Sequence, residues 1–141
     1  MLKGISPIIS PELLKILMEM GHGDEICIGD GNFPAASIAQ RLVRLDGHGV
    51  TEILDAILQL MPLDTYVEAP VSLMQVVPGD PVVPTIWDDY KAVVKKYEGD
   101  RKIENIERFA FYEKAKKCYA VVATGETAIY ANIILKKGVV K

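Results

Sequence analysis

Hydrophobic positions in this chain alternate between two patterns: stretches with a residue on one helical face every three or four positions, and short unbroken runs. Ser10-Pro11-Glu12 supplies an N-cap, a proline suited to the first helical position and an early acid. Leu13, Leu14, Leu17 and Met18 follow at helical spacing, and Gly21 is the expected stop. The Ile-Cys-Ile run predicts a buried strand over residues 25–29, and the small residues after Phe33-Pro34 predict a helix over 35–40. Residues 42–46 read as a short strand. Ile53, Leu54, Ile57, Leu58 and Met61 form a helical stripe over 51–61, broken by Pro62-Leu63-Asp64.

Residues 71–77 read as a further strand, ended by Pro78-Gly79-Asp80-Pro81. Trp87, Tyr90, Val93, Val94 and Tyr97 predict a helix over 87–97, whose stripe is core-facing in character. A polar stretch over 99–107 reads as a connection, then a helix is expected over 109–117 and strands over 120–123 and 133–135. Helices alternating with short apolar strands predict one α/β domain spanning 1–141, with three layers and helices on both faces of a mostly parallel or mixed sheet.

With 141 residues, half of them hydrophobic and a quarter charged, the chain can bury one sizeable core. A net charge of −3 gives no general attraction to phosphate backbones or anionic lipid, so nucleic acid and membrane surfaces are not expected partners. No apolar run approaches the roughly 18 residues of a membrane helix. Cys27 and Cys118 lie in separate apolar runs, which suits free thiols in a reducing, cytoplasmic setting.

Chemistry concentrates at element ends. Met20-Gly21-His22-Gly23-Asp24-Glu25 and Gly29-Asp30-Gly31-Asn32-Phe33-Pro34 bracket the strand over 25–29, with an imidazole on one loop and a carboxylate on the other. Histidine, with an unperturbed pKa of about 6.5, exchanges protons near neutrality, so these loops form a candidate acid/base centre. Plainer uses stand beside that one: a His between glycines serves a backbone turn, and an Asp closes an Asx turn on the amide two residues on. Arg108 with Tyr112, and Tyr130 with Asn132, complete the polar clusters at positions where α/β proteins place ligands. Their alternatives are a solvated arginine or one paired with Glu104 or Glu126, a core Tyr112, a loop-anchoring Tyr130, and an Asn132 turn in the left-handed conformation.

Other motifs fail. Gly29-x-Gly31 lacks the third glycine of a dinucleotide fingerprint, and no Gly-Lys-Ser/Thr loop is present. His22 and His48 are the only histidines and lack a His-Glu-x-x-His spacing, so no zinc site is expected. Neither cysteine has the exposed, electropositive setting of a nucleophile. What remains is proton transfer without metal or cofactor.

The ordered blocks Ile8-Ile9-Ser10-Pro11-Glu12-Leu13-Leu14, Met20-Gly21-His22-Gly23-Asp24-Glu25, Asp30 with Phe33-Pro34, and Leu63-Asp64-Thr65-Tyr66 closely resemble the L-fucose mutarotases, a branch of the family shared with the D-ribose pyranases (RbsD/FucU). The resemblance continues through Glu107-Arg108-Phe109-Ala110-Phe111-Tyr112-Glu113, Thr124-Gly125-Glu126, Tyr130-Ala131-Asn132 and Lys136-Lys137-Gly138-Val139. Ribose pyranases typically carry Gly-His-Thr-Asp, Asp-Ala-Gly-Leu-Pro and a histidine at the position of Arg108, which favours the fucose branch. Some bacterial fucose mutarotases read Asp-Ala-His-Phe-Pro, so no role of that histidine carries over to Asn32.

The resemblance implies an isomerase that interconverts the α and β anomers of L-fucose, with an RbsD-like fold. It implies His22 as general acid/base and Asp30, Arg108, Tyr112, Tyr130 and Asn132 as substrate-binding residues. A homo-oligomer is expected, commonly a decamer of two stacked pentameric rings with sites at subunit boundaries.

Overall fold

Ser10 opens the first helix, α1 (Pro11–Glu19): its backbone is extended and its side chain accepts from the Leu13 amide at 3.2 Å. Such a cap stabilises a helix by about 1 kcal/mol, and Pro11 stands where no amide partner is needed. The computed structural model describes residues 1–141. After α1 come β1 (Glu25–Gly29), α2 (Ala35–Ile38), β2 (Leu42–Leu45), α3 (Val50–Leu58), β3 (Val71–Met74), α4 (Ile86–Glu98), β4 (Ile103–Ile106), α5 (Arg108–Lys117), β5 (Ala120–Thr124) and β6 (Ile133–Lys136).

The strands form one sheet in the order β2-β5-β1-β6-β3-β4. β2, β5 and β1 pair in parallel, as do β3 and β4, whereas β6 runs antiparallel to β1 and β3. All strands but β6 therefore point one way. Their C-terminal ends and the start of β6 gather at one edge of the sheet; their N-terminal ends and the end of β6 gather at the other.

Both faces are covered, which is why the central strands are apolar at every position rather than alternating. Ile26, Ile28, Val122 and Ile133 join the larger core beneath α1, α3 and α4. Cys27, Val121 and Ile134 point the other way, into a smaller core with Phe111 and Ala115 of α5 and Ala35 of α2. The three layers and the mixed sheet are those expected from the sequence.

α1 stops before Gly21 as expected: Met20 turns extended and its N–H closes the helix on the Ile16 carbonyl. Other boundaries differ from expectation. α2 stops at Ile38: Ala39 is extended, and the Gln40 amide is drawn to the carbonyls of Lys116 and Cys118. β3 is shorter than residues 71–77, since the Val77 N–H leaves the ladder and donates to the Tyr130 hydroxyl. The stretch over 99–107 is not all connection, because it holds the edge strand β4, whose Glu104 accepts from the buried Ser72 hydroxyl at 2.8 Å.

Candidate active site

At the C-terminal edge of the parallel strands a cavity of about 260 Å³ is lined by Asp30, Asn32, Arg108, Tyr112, Tyr130 and Asn132. Phe33, Met74, Val77 and Ile129 supply its apolar wall. This is below the ~300 Å³ at which pockets for drug-sized ligands begin, a size for a small molecule held by convergent polar groups. Topology makes the convergence: Asp30 follows β1, Met74 ends β3, Arg108 follows β4 and Asn132 precedes β6.

Local chemistry fixes each wall. Gly29 is required because a Cβ there would lie 2.5 Å from the Phe33 ring, which packs back on the strand end. The Asp30 amide donates to Asn132 Oδ1 at 2.8 Å, and the Asp30 carboxylate accepts from the amides of Asn32 at 3.0 Å and Ala131 at 3.4 Å. The bond to Asn32 is the Asx turn foreseen as the plainer use of Asp30, and the residue lines the cavity as well. Burial pushes the Asp30 carboxyl above its ordinary range, against the opposing pull of the backbone N–H groups of Asn32, Ala131 and Phe33.

Arg108 opens α5 after the Glu107 carboxylate has capped the amides of Phe109 and Ala110. Its Nε donates to the Tyr112 hydroxyl at 3.4 Å, and its guanidinium is otherwise exposed. It pairs with neither Glu104, which binds Lys114, nor Glu126, which accepts from the Val50 amide. Tyr112 is half-buried, 5.9 Å from the Phe33 ring. Asn132 is not the left-handed turn residue; Tyr130 is, with φ 56°.

His22 lies elsewhere. It precedes β1 and so stands at the N-terminal edge, about 16 Å of strand away from Asp30, and it does not line the cavity. Sequence proximity to β1 suggested one acid/base centre; within one chain the two loops sit at opposite edges. Gly23, at φ 87°, takes the left-handed conformation in this turn, and its N–H donates to the Lys137 carbonyl at 2.9 Å.

His22 has a partner that the sequence reading missed. Its Nε2 lies 3.0 Å from Oδ1 of Asp64, a buried carboxylate brought alongside by the bridge between Leu63 and Lys137. The Tyr66 N–H at 3.0 Å, and then His22 itself, hold the Asp64 carboxyl below its ordinary range. Arg101 donates to the Asp64 carbonyl. An ionised carboxylate only accepts, so the pair assigns the imidazole proton to Nε2 and leaves Nδ1 free to take another. The available signals were an acid two residues after the Pro62 helix break and its place in the block Leu63-Asp64-Thr65-Tyr66 that carries the family resemblance. His48 sits apart from both loops, bonded to Glu52 at 3.0 Å.

The sequence profile described as the RbsD / FucU transport protein family matches residues 3–140. A protein named L-fucose mutarotase from Actinobacillus pleuropneumoniae serotype 5b (strain L20) is 56% identical over 140 residues, covering 99% of this chain and 97% of its own. The Homo sapiens protein named fucose mutarotase is 51% identical over 144 residues, covering 98% of this chain and 94% of its own. Among solved structures, the fucose mutarotase of Streptococcus pneumoniae in complex with L-fucose superposes with a TM-score of 0.96 at 55% identity, covering 99% of this chain and all of that one. Bacillus subtilis RbsD complexed with D-ribose superposes at 0.73 with 23% identity over the full length of both chains, a likeness of fold.

Proposed function

Because this chain belongs to the RbsD / FucU family, we infer that it is an L-fucose mutarotase, an isomerase that interconverts the α and β anomers of the sugar. The observation that carries the reading is a cavity where Asp30, Arg108, Tyr130 and Asn132 converge, in a chain more than half identical along its whole length to a protein named for that activity.

The reaction breaks the C1–O5 bond of the pyranose. The anomeric hydroxyl gives up its proton, O5 gains one, the open aldehyde turns about C1–C2, and O5 adds back to the opposite face as the protons return. His22 is suited to the transfers, with Nδ1 taking the hydroxyl proton while Asp64 steadies Nε2–H and the imidazolium that forms. The sugar is neutral, so orientation falls to hydrogen bonds: Asp30 accepts from hydroxyls, Arg108 and Asn132 donate, and the ring of Tyr112 offers an apolar face.

His22 reaches that cavity from a second copy of the chain. Both half-sites carry exposed apolar side chains: Tyr66 packs on the His22 ring with centroids 5.2 Å apart, and Phe109 and Ile129 flank the cavity. Joining them sets the N-terminal sheet edge of one copy against the C-terminal edge of the next. Such a head-to-tail contact repeats into a closed ring when the rotation allows, which fits the ring assembly expected from the family resemblance. The two buried free thiols suit a reducing compartment such as the cytoplasm.

Saturation-transfer NMR on equilibrated L-fucose, D-ribose and D-galactose tests the activity. Transfer between the anomer signals of fucose, faster than for the other two, is expected; faster ribose exchange would move the protein to the pyranase branch, and binding without exchange would make it a non-catalytic sugar module. Arg108→His should lower fucose exchange relative to ribose, since a fork of five donors gives way to a shorter ring with at most two. An unchanged ratio would remove Arg108 from sugar choice.

The buried Asp30 carboxyl makes fucose binding sensitive to acid. Its raised pKa means that the accepting carboxylate is lost, as pH falls, before an ordinary aspartate near ~3.8 would protonate. In a His22→Ala background, where no imidazole of that residue contributes, fucose affinity should drop across that higher window, and Asp30→Asn should abolish the step. Calorimetric titrations across the acidic range read it directly.

A further inference from the structure

We propose that Asp80 is a positioning residue for Tyr130: by accepting the phenol O–H hydrogen bond it turns the Tyr130 oxygen into a fixed acceptor at the cavity wall. The inference rests on the reading of that cavity as a sugar site. Tyr130 is the one non-glycine residue with positive φ, a conformation that survives only where the surroundings over-determine it. Three hydrogen bonds do so. The Tyr130 hydroxyl donates to Asp80 Oδ2 at 2.7 Å and accepts from the Val77 N–H at 3.3 Å, while Trp87 Nε1–H donates to the Tyr130 carbonyl at 2.8 Å.

Asp80 is held in turn. Its Oδ1 accepts from the Val82 N–H at 3.1 Å, and its own N–H donates to the Val77 carbonyl at 3.0 Å, so the carboxylate is locked in the turn that follows β3. Tyr130 and Val77 line the cavity and Asp80 does not. Asp80 can therefore act on a sugar only through Tyr130.

The bonding leaves one choice for the phenol oxygen. Its proton is committed to Asp80 and one lone pair to Val77, so it can accept from a sugar hydroxyl and cannot donate to one. Arg108, on the same cavity, has only donors. A hydroxyl lying between them must donate toward Tyr130 and accept from Arg108, which sets the direction of the hydrogen-bond chain along the sugar. The hydrogen bond to Asp80 above all raises the Tyr130 pKa, with the Val77 N–H and the Arg108 charge opposing.

Asp80→Asn tests this with little change in shape. The Val82 N–H needs an acceptor, so the new amide keeps its oxygen there and turns its NH₂ to Tyr130; the phenol then accepts from it and its proton is freed into the cavity. With circular dichroism and melting curve unchanged, the half-saturating L-fucose concentration should rise about tenfold and turnover at saturation should stay within about twofold, the scale of one misdirected hydrogen bond. In a Tyr130→Phe background the same substitution should change neither. Equal effects with and without the Tyr130 hydroxyl, or none in either, would overturn the proposal.

A second measurement needs no sugar. ¹³C NMR of labelled tyrosine, with Tyr130→Phe as the assignment, should find the Tyr130 phenol titrating at lower pH in Asp80→Asn than in the parent protein. An unmoved titration refutes the Asp80 bond by itself, whereas a parent protein that fails to exchange fucose anomers refutes only the functional reading.

Discussion

His22→Ala is expected to slow L-fucose anomer exchange by about 10²- to 10⁴-fold, the range that a positioned acid/base group contributes, while leaving the fold in place. The fold should survive because the side chain is 45% exposed and packs on little besides the exposed Tyr66 ring. Asp64, the buried group left behind, keeps the Tyr66 N–H as a partner. His22→Gln separates proton transfer from placement: it retains a donor toward Asp64 but cannot be protonated, and it should be about as slow as the alanine variant. Exchange rates read beside far-UV circular dichroism decide the matter. A folded variant that exchanges at the parental rate would remove His22 as the proton carrier.

Which elements were readable from the sequence follows from how each is stabilised. α1 carries its apolar stripe and capping signal, and α4 its apolar stripe, in consecutive residues, so local pattern suffices. β1 and β5 are buried on both faces and read as unbroken apolar runs. β4 is an edge strand with Glu104 and Asn105 at its centre; its pairing with β3 depends on register with a distant segment, and no local period announces it. The same distinction runs through the site. Asp30, Arg108, Tyr112, Tyr130 and Asn132 stood at element ends and do share one cavity. Asp64 and Asp80 are separated by 42 and 50 residues from the side chains they hold, and only the sheet order brings each pair together. That order also explains why two loops flanking one strand do not meet: a β-strand carries its ends apart, however short the sequence between them.

This separation gives the second large effect. If each site takes His22 from one copy and the cavity from the next, two crippled variants should repair each other. Arg108→Ala removes an exposed side chain from the cavity and His22→Ala removes the proton carrier, and each should be slow alone. Co-expressed with different tags and purified as mixed assemblies, they should recover activity, because an intact His22 from the Arg108→Ala chain can face an intact Arg108 from the His22→Ala chain. In a head-to-tail ring mixed at random in equal amounts, about one site in four meets that condition, so close to a quarter of the parental exchange rate is expected. A site built within one chain permits no such repair, since every chain in the mixture lacks one of the two groups. A mixed assembly no faster than the sum of its parents would therefore confine the reaction to a single chain. His22, on the far sheet edge, could then no longer be the group that serves the Asp30 cavity.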